Sequence, residues 1–163
     1  MLISNLGEIA VRIARAVREL DMRAVAVYPA DDAASGHVDA ADETMALPGV
    51  GTAAHLDIDA LIGAARDAGC SAVHRGYGFL SENAGFARGC RDAGLTFIGP
   101  SAEVLELFGE KSAARDFAEQ AGVPVLPGTA GPATVAETRS FAAEHGPVML
   151  KAGAGAVCIT VRP

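Results

Sequence analysis

The chain of 163 residues carries 13 basic and 20 acidic side chains, giving a formal net charge of −7 at pH 7, and half of its residues are hydrophobic. This length suits one domain or slightly more, and the acidic balance argues against nucleic acid or an anionic membrane as the main partner. No apolar run approaches the length of a membrane span, and polar residues follow Ser4 where a signal peptide would stay apolar. We therefore expect a soluble, cytoplasmic protein.

Cysteine and histidine usage predicts neither a disulfide framework nor a metal site. The three cysteines, Cys70, Cys90 and Cys158, are odd in number and lack C-x-x-C spacing. The four histidines lack the i, i+4 placement that is typical of metal ligands on one helix face.

Short apolar strands alternate with amphipathic helices along about the first hundred residues. Leu2 to Ser4 predicts a first strand, and Asn5 with Glu8 predicts a capping box at the start of the helix that follows. Further strands are predicted at 24–28, 44–47, 70–73 and 96–98, further helices at 57–68 and 83–93, and a loop with a short helical turn at 31–42. This order favours parallel βαβ units, and hence an α/β, Rossmann-like, doubly wound parallel sheet over about residues 1–100.

A glycine-rich segment, H-R-G-Y-G-F-L-S-E-N at 74–83, follows a predicted buried strand. Ligands of open parallel sheets collect at the edge where the strands end, which is where this segment is expected. Gly76 and Gly78 permit positive φ angles and a close approach of the backbone to a ligand, while Tyr77 and Glu82 offer a flat ring and a carboxylate. From spacing alone, a ligand-binding loop and a plain strand-to-helix turn are equally good interpretations.

The remaining residues, 101–163, predict a different arrangement. Helices are predicted at 101–108, at 111–121 and, behind a capping box formed by Thr134 and Glu137, from 134 to about 146. A strand at 148–152 follows, and Lys151 lies inside it. Burying an unpaired lysine in an apolar strand is costly, so a functional role for Lys151 is favoured, whereas Lys111 could equally be a solvated residue in the first turn of a helix.

Two phosphate-binding motifs are excluded. A Walker A loop would need the glycine directly before the lysine, but Glu110 separates Gly109 from Lys111. Gly153 and Gly155 follow a strand as a dinucleotide fingerprint should, but the third glycine is missing and the residues at 158–161 predict a strand.

Several motifs, in order along nearly the whole chain, resemble those of biotin carboxylases. They are N-L-G-E-I-A at 5–10, the segment 74–83, G-P-S at 99–101, G-E-K at 109–111, A-G-V-P-V at 121–125 and P-V-M-L-K-A at 147–152. Leu6 stands where the family has arginine, and Arg75 stands where it has proline. The resemblance implies a biotin carboxylase N-terminal Rossmann-like domain at about 1–100, followed over 101–163 by linker helices and the truncated start of an ATP-grasp domain.

The family uses ATP, with magnesium, to carboxylate biotin with bicarbonate. Carried over position by position, the resemblance implies that Lys111 and Lys151 bind the ATP phosphates. It implies that Tyr77 and Glu82 border the biotin and bicarbonate pocket, with Gly76 and Gly78 in its backbone. It also implies a biotin carboxyl carrier and a carboxyltransferase component as partners, as in an acyl-CoA carboxylase, and a homodimer formed through the N-terminal domain. It assigns no catalytic residue and no metal ligand to this chain.

Beyond Lys151, the family's glycine-rich phosphate loop is not recognisable, and its magnesium ligands and adenine pocket are not found. The chain by itself is therefore expected not to turn over. Two alternatives stay open: a fragment of another ATP-grasp ligase, such as a carbamoyl-phosphate-forming enzyme, and a non-catalytic dimerisation or binding module. Residues 76–83, with Tyr77 and Glu82, argue against the first alternative. The sequence does not indicate which acyl-CoA or other acceptor is served.

Overall fold

The computed structural model describes residues 1–129, 131–151 and 158–161. These residues form two units that part between Leu105 and Glu106. Within the described part of the chain, no helix combines the length and the apolar character that crossing a membrane requires.

The first unit is built on five parallel strands. They are β1 (Leu2–Ile3), β2 (Val25–Pro29), β3 (Glu43–Leu47), β4 (Ala72–His74) and β5 (Thr96–Ile98), and they lie in the order β3-β2-β1-β4-β5. All four neighbouring pairs are parallel. The chain thus winds outward from β1 first in one direction and then in the other, which confirms the predicted doubly wound parallel sheet.

Helices connect these strands and cover both faces of the sheet. The helices between the strands are α1 (Gly7–Glu19), α2 (Gly36–Ala40), α3 (Gly51–Ala54), α4 (Ile58–Asp67) and α5 (Ala84–Asp92), with a 3₁₀ turn at Ala30–Asp32. Helix α6 (Ala102–Gly109) follows β5 and contains the boundary between the two units. Because successive side chains of a strand point to opposite faces, Leu2 packs with Leu61 of α4 and Phe86 of α5, whereas Ile3 belongs to the cluster formed with α1.

The first strand is short but central. Leu2 and Ile3 are fully buried, because parallel neighbours pair on both sides and helices cover both faces. Its pairing is extended by backbone hydrogen bonds from Val25 N to Met1 O (2.9 Å) and from Ser4 N to His74 O (2.9 Å). The carboxyl end of β1 is thereby held directly beside the carboxyl end of β4.

Helix starts in this unit agree with the sequence patterns in one case and disagree in another. Asp57 caps α4 as predicted, since its carboxylate accepts a hydrogen bond from Ala60 N at 3.0 Å. The predicted capping box of Asn5 and Glu8 is wrong. The N-cap of α1 is Leu6, and no side chain of the described residues caps it. The amide of Asn5 is instead used for contacts to a distant segment.

The second unit contains α7 (Lys111–Gln120), α8 (Val135–His145) and an antiparallel pair of strands, β6 (Val148–Lys151) and β7 (Cys158–Val161). The predicted capping box at α8 is confirmed. Thr134 Oγ1 accepts from Glu137 N, and the Glu137 carboxylate accepts from Thr134 N at 2.7 Å. The hydrogen bonds that the Glu137 carboxylate accepts from the backbone N–H and the hydroxyl of Thr134 lower the pKa of Glu137, since they favour its ionised form.

Candidate functional site

The candidate site is the loop of residues 75–83, here called the glycine loop, which joins β4 to α5. It starts where β4 ends and therefore lies at the carboxyl edge of the sheet, beside the end of β1. Asn83 closes the loop as the N-cap of α5, with its side chain accepting from Phe86 N at 3.0 Å. Four residues assigned from the sequence, Gly76, Tyr77, Gly78 and Glu82, are thus brought together in one short segment.

Asn5 anchors the first half of the glycine loop. Its side chain is 3% exposed, and its Nδ2 donates to the carbonyl of Tyr77 at 2.7 Å and to that of Arg75 at 3.4 Å. The Oδ1 of the same amide accepts from Leu6 N at 3.1 Å, which fixes the orientation of the group. A residue at the end of β1 therefore holds the backbone on both sides of Gly76.

Gly76 is required because Asn5 lies so close. A Cβ atom at Gly76 would lie 2.6 Å from Asn5 Cβ and closer still to the amide, a separation that real Cβ atoms do not reach. Gly76 also has a φ of +63°, which disfavours any side chain. Close approach and backbone conformation both select glycine here.

The second half of the loop is a series of tight turns. Gly78 has a φ of +67° and Phe79 a φ of +47°, so a residue with a large side chain adopts a left-handed conformation. Ser81 N donates to Gly78 O at 2.8 Å and Asn83 N donates to Leu80 O at 3.0 Å. The cost of the left-handed Phe79 is of order 1–3 kcal/mol, so the contacts around it must hold the loop in this shape.

His74 and Arg75 add polar contacts at the start of the loop. His74 Nδ1 accepts from Gly76 N at 3.0 Å, which requires the neutral ring to carry its proton on Nε2. Burial lowers the pKa of His74, and the neighbouring positive charge of Arg75 lowers it further. The Arg75 guanidinium donates from Nη1 to the carbonyl of Ser81. In the sequence, Arg75 was identified only as a departure from the family's proline.

Phe79 packs against a buried histidine. The rings of Phe79 and His55 have centroids 5.2 Å apart, and His55 is fully buried. Neither ring nitrogen of His55 has a hydrogen-bond partner among the described residues. Burial lowers the pKa of His55, and the nearby His37 lowers it further, although Asp32 and Asp31 act in the opposite direction. His55 therefore supports the loop as a neutral aromatic ring.

The two side chains assigned to the biotin side point away from the core. Tyr77 is 64% exposed and Glu82 is also exposed, although the backbone that carries them is held by buried Asn5 and by Arg75. A rigid backbone with accessible side chains can offer a ring for stacking and a carboxylate for accepting hydrogen bonds.

The two lysines assigned to ATP lie in the second unit. Lys111 is the first residue of α7, and Lys151 is the last residue of β6, opposite Cys158. Both are exposed, so the predicted burial of Lys151 is wrong. Its apolar neighbours Met149 and Leu150 are exposed as well. A two-stranded sheet exposes residues that a larger sheet would cover. Residues 152–157, which include the end of the predicted strand, lie outside the described residues.

The amino end of α7 already binds an acidic side chain. The Glu110 carboxylate accepts from Ser112 N at 3.0 Å and from Ala113 N at 2.6 Å. These bonds lower the pKa of Glu110. The helix amides beside Lys111 are therefore occupied, and a phosphate near Lys111 would interact with the lysine side chain rather than with these N–H groups. Across the described residues, no group of three or more His, Cys, Asp or Glu side chains could hold a metal ion.

Comparison with known proteins identifies the family to which this chain belongs. The profile of the biotin carboxylase N-terminal domain matches residues 1–105. A biotin carboxylase of Halalkalibacterium halodurans is 49% identical over 159 residues, which cover 95% of this chain and 35% of that protein. A putative urea carboxylase of Emericella nidulans is 49% identical over 162 residues, 95% of this chain and 13% of that protein.

A solved structure shows the same likeness in three dimensions. A biotin carboxylase of Campylobacter jejuni, in a β-γ-ATP complex, superposes with a TM-score of 0.92 at 38% identity, over 99% of this chain and 38% of that one. The chain thus spans between 13% and 38% of the length of these three relatives. With its parallel sheet, its glycine loop and these matches, the chain belongs to the biotin carboxylase family and carries that family's N-terminal domain.

Proposed function

We propose that this chain acts as the N-terminal part of a biotin carboxylase, in which the glycine loop forms a wall of the biotin and bicarbonate pocket. The observation that carries the proposal is the anchored backbone of the loop. Asn5 holds the carbonyls of Arg75 and Tyr77 while the ring of Tyr77 stays exposed. A loop that served only as a turn would not need a buried amide from another strand to fix its shape.

Tyr77 and Glu82 have distinct roles in this proposal. The flat ring of Tyr77 covers one face of the bound biotin or bicarbonate, which excludes water from that side. The Glu82 carboxylate accepts a hydrogen bond, for which the ureido N–H of biotin is a suitable donor. Gly76 and Gly78 contribute backbone shape and allow the ligand to approach closely.

Lys111 and Lys151 serve the ATP side. A polyphosphate concentrates negative charge, and each exposed lysine supplies a flexible positive charge that can follow it. Magnesium, when bound, neutralises part of the phosphate charge during transfer. In the complete carboxylase, the biotin would be carried by a carboxyl carrier component and the carboxyl group passed on by a carboxyltransferase component.

A chimeric enzyme tests this proposal. Residues 1–151 of this chain replace the aligned segment of the Halalkalibacterium halodurans biotin carboxylase, and ATP-dependent fixation of labelled bicarbonate onto free biotin is measured. We expect an active chimera. Tyr77→Ala and Glu82→Gln should each lower kcat/KM for biotin about tenfold, and Lys111→Ala and Lys151→Ala should raise KM for ATP.

The matched control is Glu144→Gln, since Glu144 is 74% exposed on α8 and plays no part in the proposal. It should leave both KM values unchanged. The proposal is wrong if the folded chimera is active and neither Tyr77→Ala nor Glu82→Gln alters the kinetics with biotin.

A further inference from the structure

We infer that Arg75 is a positioning residue that ties the two ends of the glycine loop together. Its own carbonyl accepts from the buried amide of Asn5, at 3.4 Å from Nδ2. Its guanidinium donates to the carbonyl of Ser81, six residues further along the chain. A single half-buried side chain therefore connects the start of the loop to the peptide group directly before Glu82.

Gly99, after β5, provides the space that this arginine needs. A Cβ atom at Gly99 would lie 2.7 Å from Arg75 Nε and 2.8 Å from Phe97 Cε1. The arginine side chain therefore occupies the space that a side chain at position 99 would take up. Gly99 is the first residue of the G-P-S motif at 99–101, and Arg75 belongs to the motif at 74–83. Two separate sequence motifs are therefore in contact at this arginine.

The conformation of the glycine loop explains why a stabilising contact between Arg75 and Ser81 is needed. The left-handed Phe79 lies between Arg75 and Ser81 and favours other conformations of the segment. Ser81 is 5% exposed, and a buried carbonyl without a donor is unfavourable. The guanidinium satisfies this carbonyl with a charge-assisted hydrogen bond, which is stronger than a neutral one. A proline at position 75 could not make this bond, so this chain uses a side-chain contact there.

The tie sets the distance between the two exposed side chains of the loop. Tyr77 follows Arg75 by two residues, and Glu82 follows Ser81 directly. Closing the loop from Arg75 to Ser81 thus restricts the positions of Tyr77 and Glu82 together. The effect on biotin binding rests on the proposed function. The hydrogen bond from Arg75 to Ser81 does not depend on it.

Amide hydrogen exchange of the purified chain, followed residue by residue by NMR without any substrate, tests the tie. In Arg75→Ala, the amides of Ser81 and Asn83 should exchange about tenfold faster than in the parent chain. Arg75→Lys should recover part of the protection, because lysine keeps the charge but cannot present the guanidinium fork. The matched control is Arg91→Ala, since the ion pairs of Arg91 with Asp92 and Glu103 are exposed. It should leave the loop amides unchanged.

A second substitution perturbs the contact between Arg75 and Ser81 without changing the arginine itself. Gly99→Ala should displace the Arg75 side chain and raise exchange of the same amides. Gly63→Ala should not, because, apart from its chain neighbours and the backbone of its own helix, no atom of the described residues lies within 4 Å of a Cβ at Gly63.

Two results would overturn the inference. One is unchanged exchange of Ser81 and Asn83 in Arg75→Ala, and the other is an increase in exchange that the amides of β2 share equally. Because exchange is measured without substrate, a failure of the tie is distinguishable from a failure of the chimeric enzyme, which reports on the proposed function.

Discussion

Gly76 and Gly78 offer a matched pair for testing how tightly the glycine loop is held. Both have a left-handed φ, +63° and +67°, and they are separated by one residue. A Cβ at Gly76 would overlap Asn5, whereas, apart from the two chain neighbours, no atom of the described residues lies within 4 Å of a Cβ at Gly78. Substituting each by alanine therefore imposes the same backbone strain, with a steric overlap at only one of the two positions.

The expected magnitudes follow from this difference. Alanine in a left-handed conformation costs about 1–2 kcal/mol, and this is the whole penalty expected for Gly78→Ala. Gly76→Ala carries the same strain, and it must also displace Asn5 or the loop, since the new atom would lie 2.6 Å from Asn5 Cβ. Overpacking of this kind costs about 1–3 kcal/mol more. We expect Gly76→Ala to be less stable than Gly78→Ala by about 2 kcal/mol.

Urea unfolding followed by tyrosine emission measures this difference in stability for the first structural unit, which contains the glycine loop. The chain has two tyrosines and no tryptophan, and both Tyr28 and Tyr77 lie in the unit that ends at Leu105. With an m-value of about 2 kcal/mol per molar urea, a difference of about 2 kcal/mol shifts the midpoint by about 1 M. Equal midpoints for the two variants would refute the claim that Asn5 leaves no room at Gly76.

Three further outcomes are expected. Removing the charge in Arg75→Ala should raise the pKa of His74, as read from an NMR titration of the imidazole. In the parent chain the folded pKa of His74 lies below its ordinary value of 6.5, so the unfolded chain binds the proton more readily. The stability contributed by the neutral ring is therefore present above about pH 6.5 and lost as the pH falls through the folded pKa. Burial raises the pKa of Cys90 to about 11, so a thiol reagent at pH 8 should modify exposed Cys158 first and Cys90 only after urea is added. Phe86→Ala should lower the free energy of unfolding of the first unit by about 3–4 kcal/mol in the tyrosine assay, because Phe86 is fully buried.

Local sequence patterns predicted the elements of the first unit but not every contact between them. Strand and helix periodicities depend on neighbouring residues, and Asp57 caps its helix through an amide only three residues away. Asn5 matched a capping pattern equally well, yet its amide bonds to Tyr77, 72 residues away. A local pattern cannot tell which of two hydrogen-bond partners a side chain will choose when one of them is brought near by tertiary structure.

Two other differences between the sequence predictions and the structure also have simple causes. Helix α3, at Gly51–Ala54, was not predicted, because four residues are too few to show a helical period. Its first amide, Gly51 N, is capped by the carboxylate of Asp31, at 2.9 Å from Oδ1, and not by a neighbouring residue in the sequence. Lys151 was predicted to be buried because apolar residues precede it. Apolar neighbours indicate burial only when the sheet around a strand is large enough to cover it, and among the described residues β6 pairs with β7 alone.

The central position of β1 has a consequence for the order of folding. The first strand in the chain is the one to which both halves of the sheet attach, and its partner β4 follows about seventy residues later. The pair β1–β2 can form early, but the contact of Asn5 with the glycine loop must await closure of this long stretch of chain. A folding intermediate with β1, β2 and β3 paired would therefore expose one side of β1 and would lack the site altogether. The site can therefore reach its final shape only after β4, which comes later in the chain, has paired with β1.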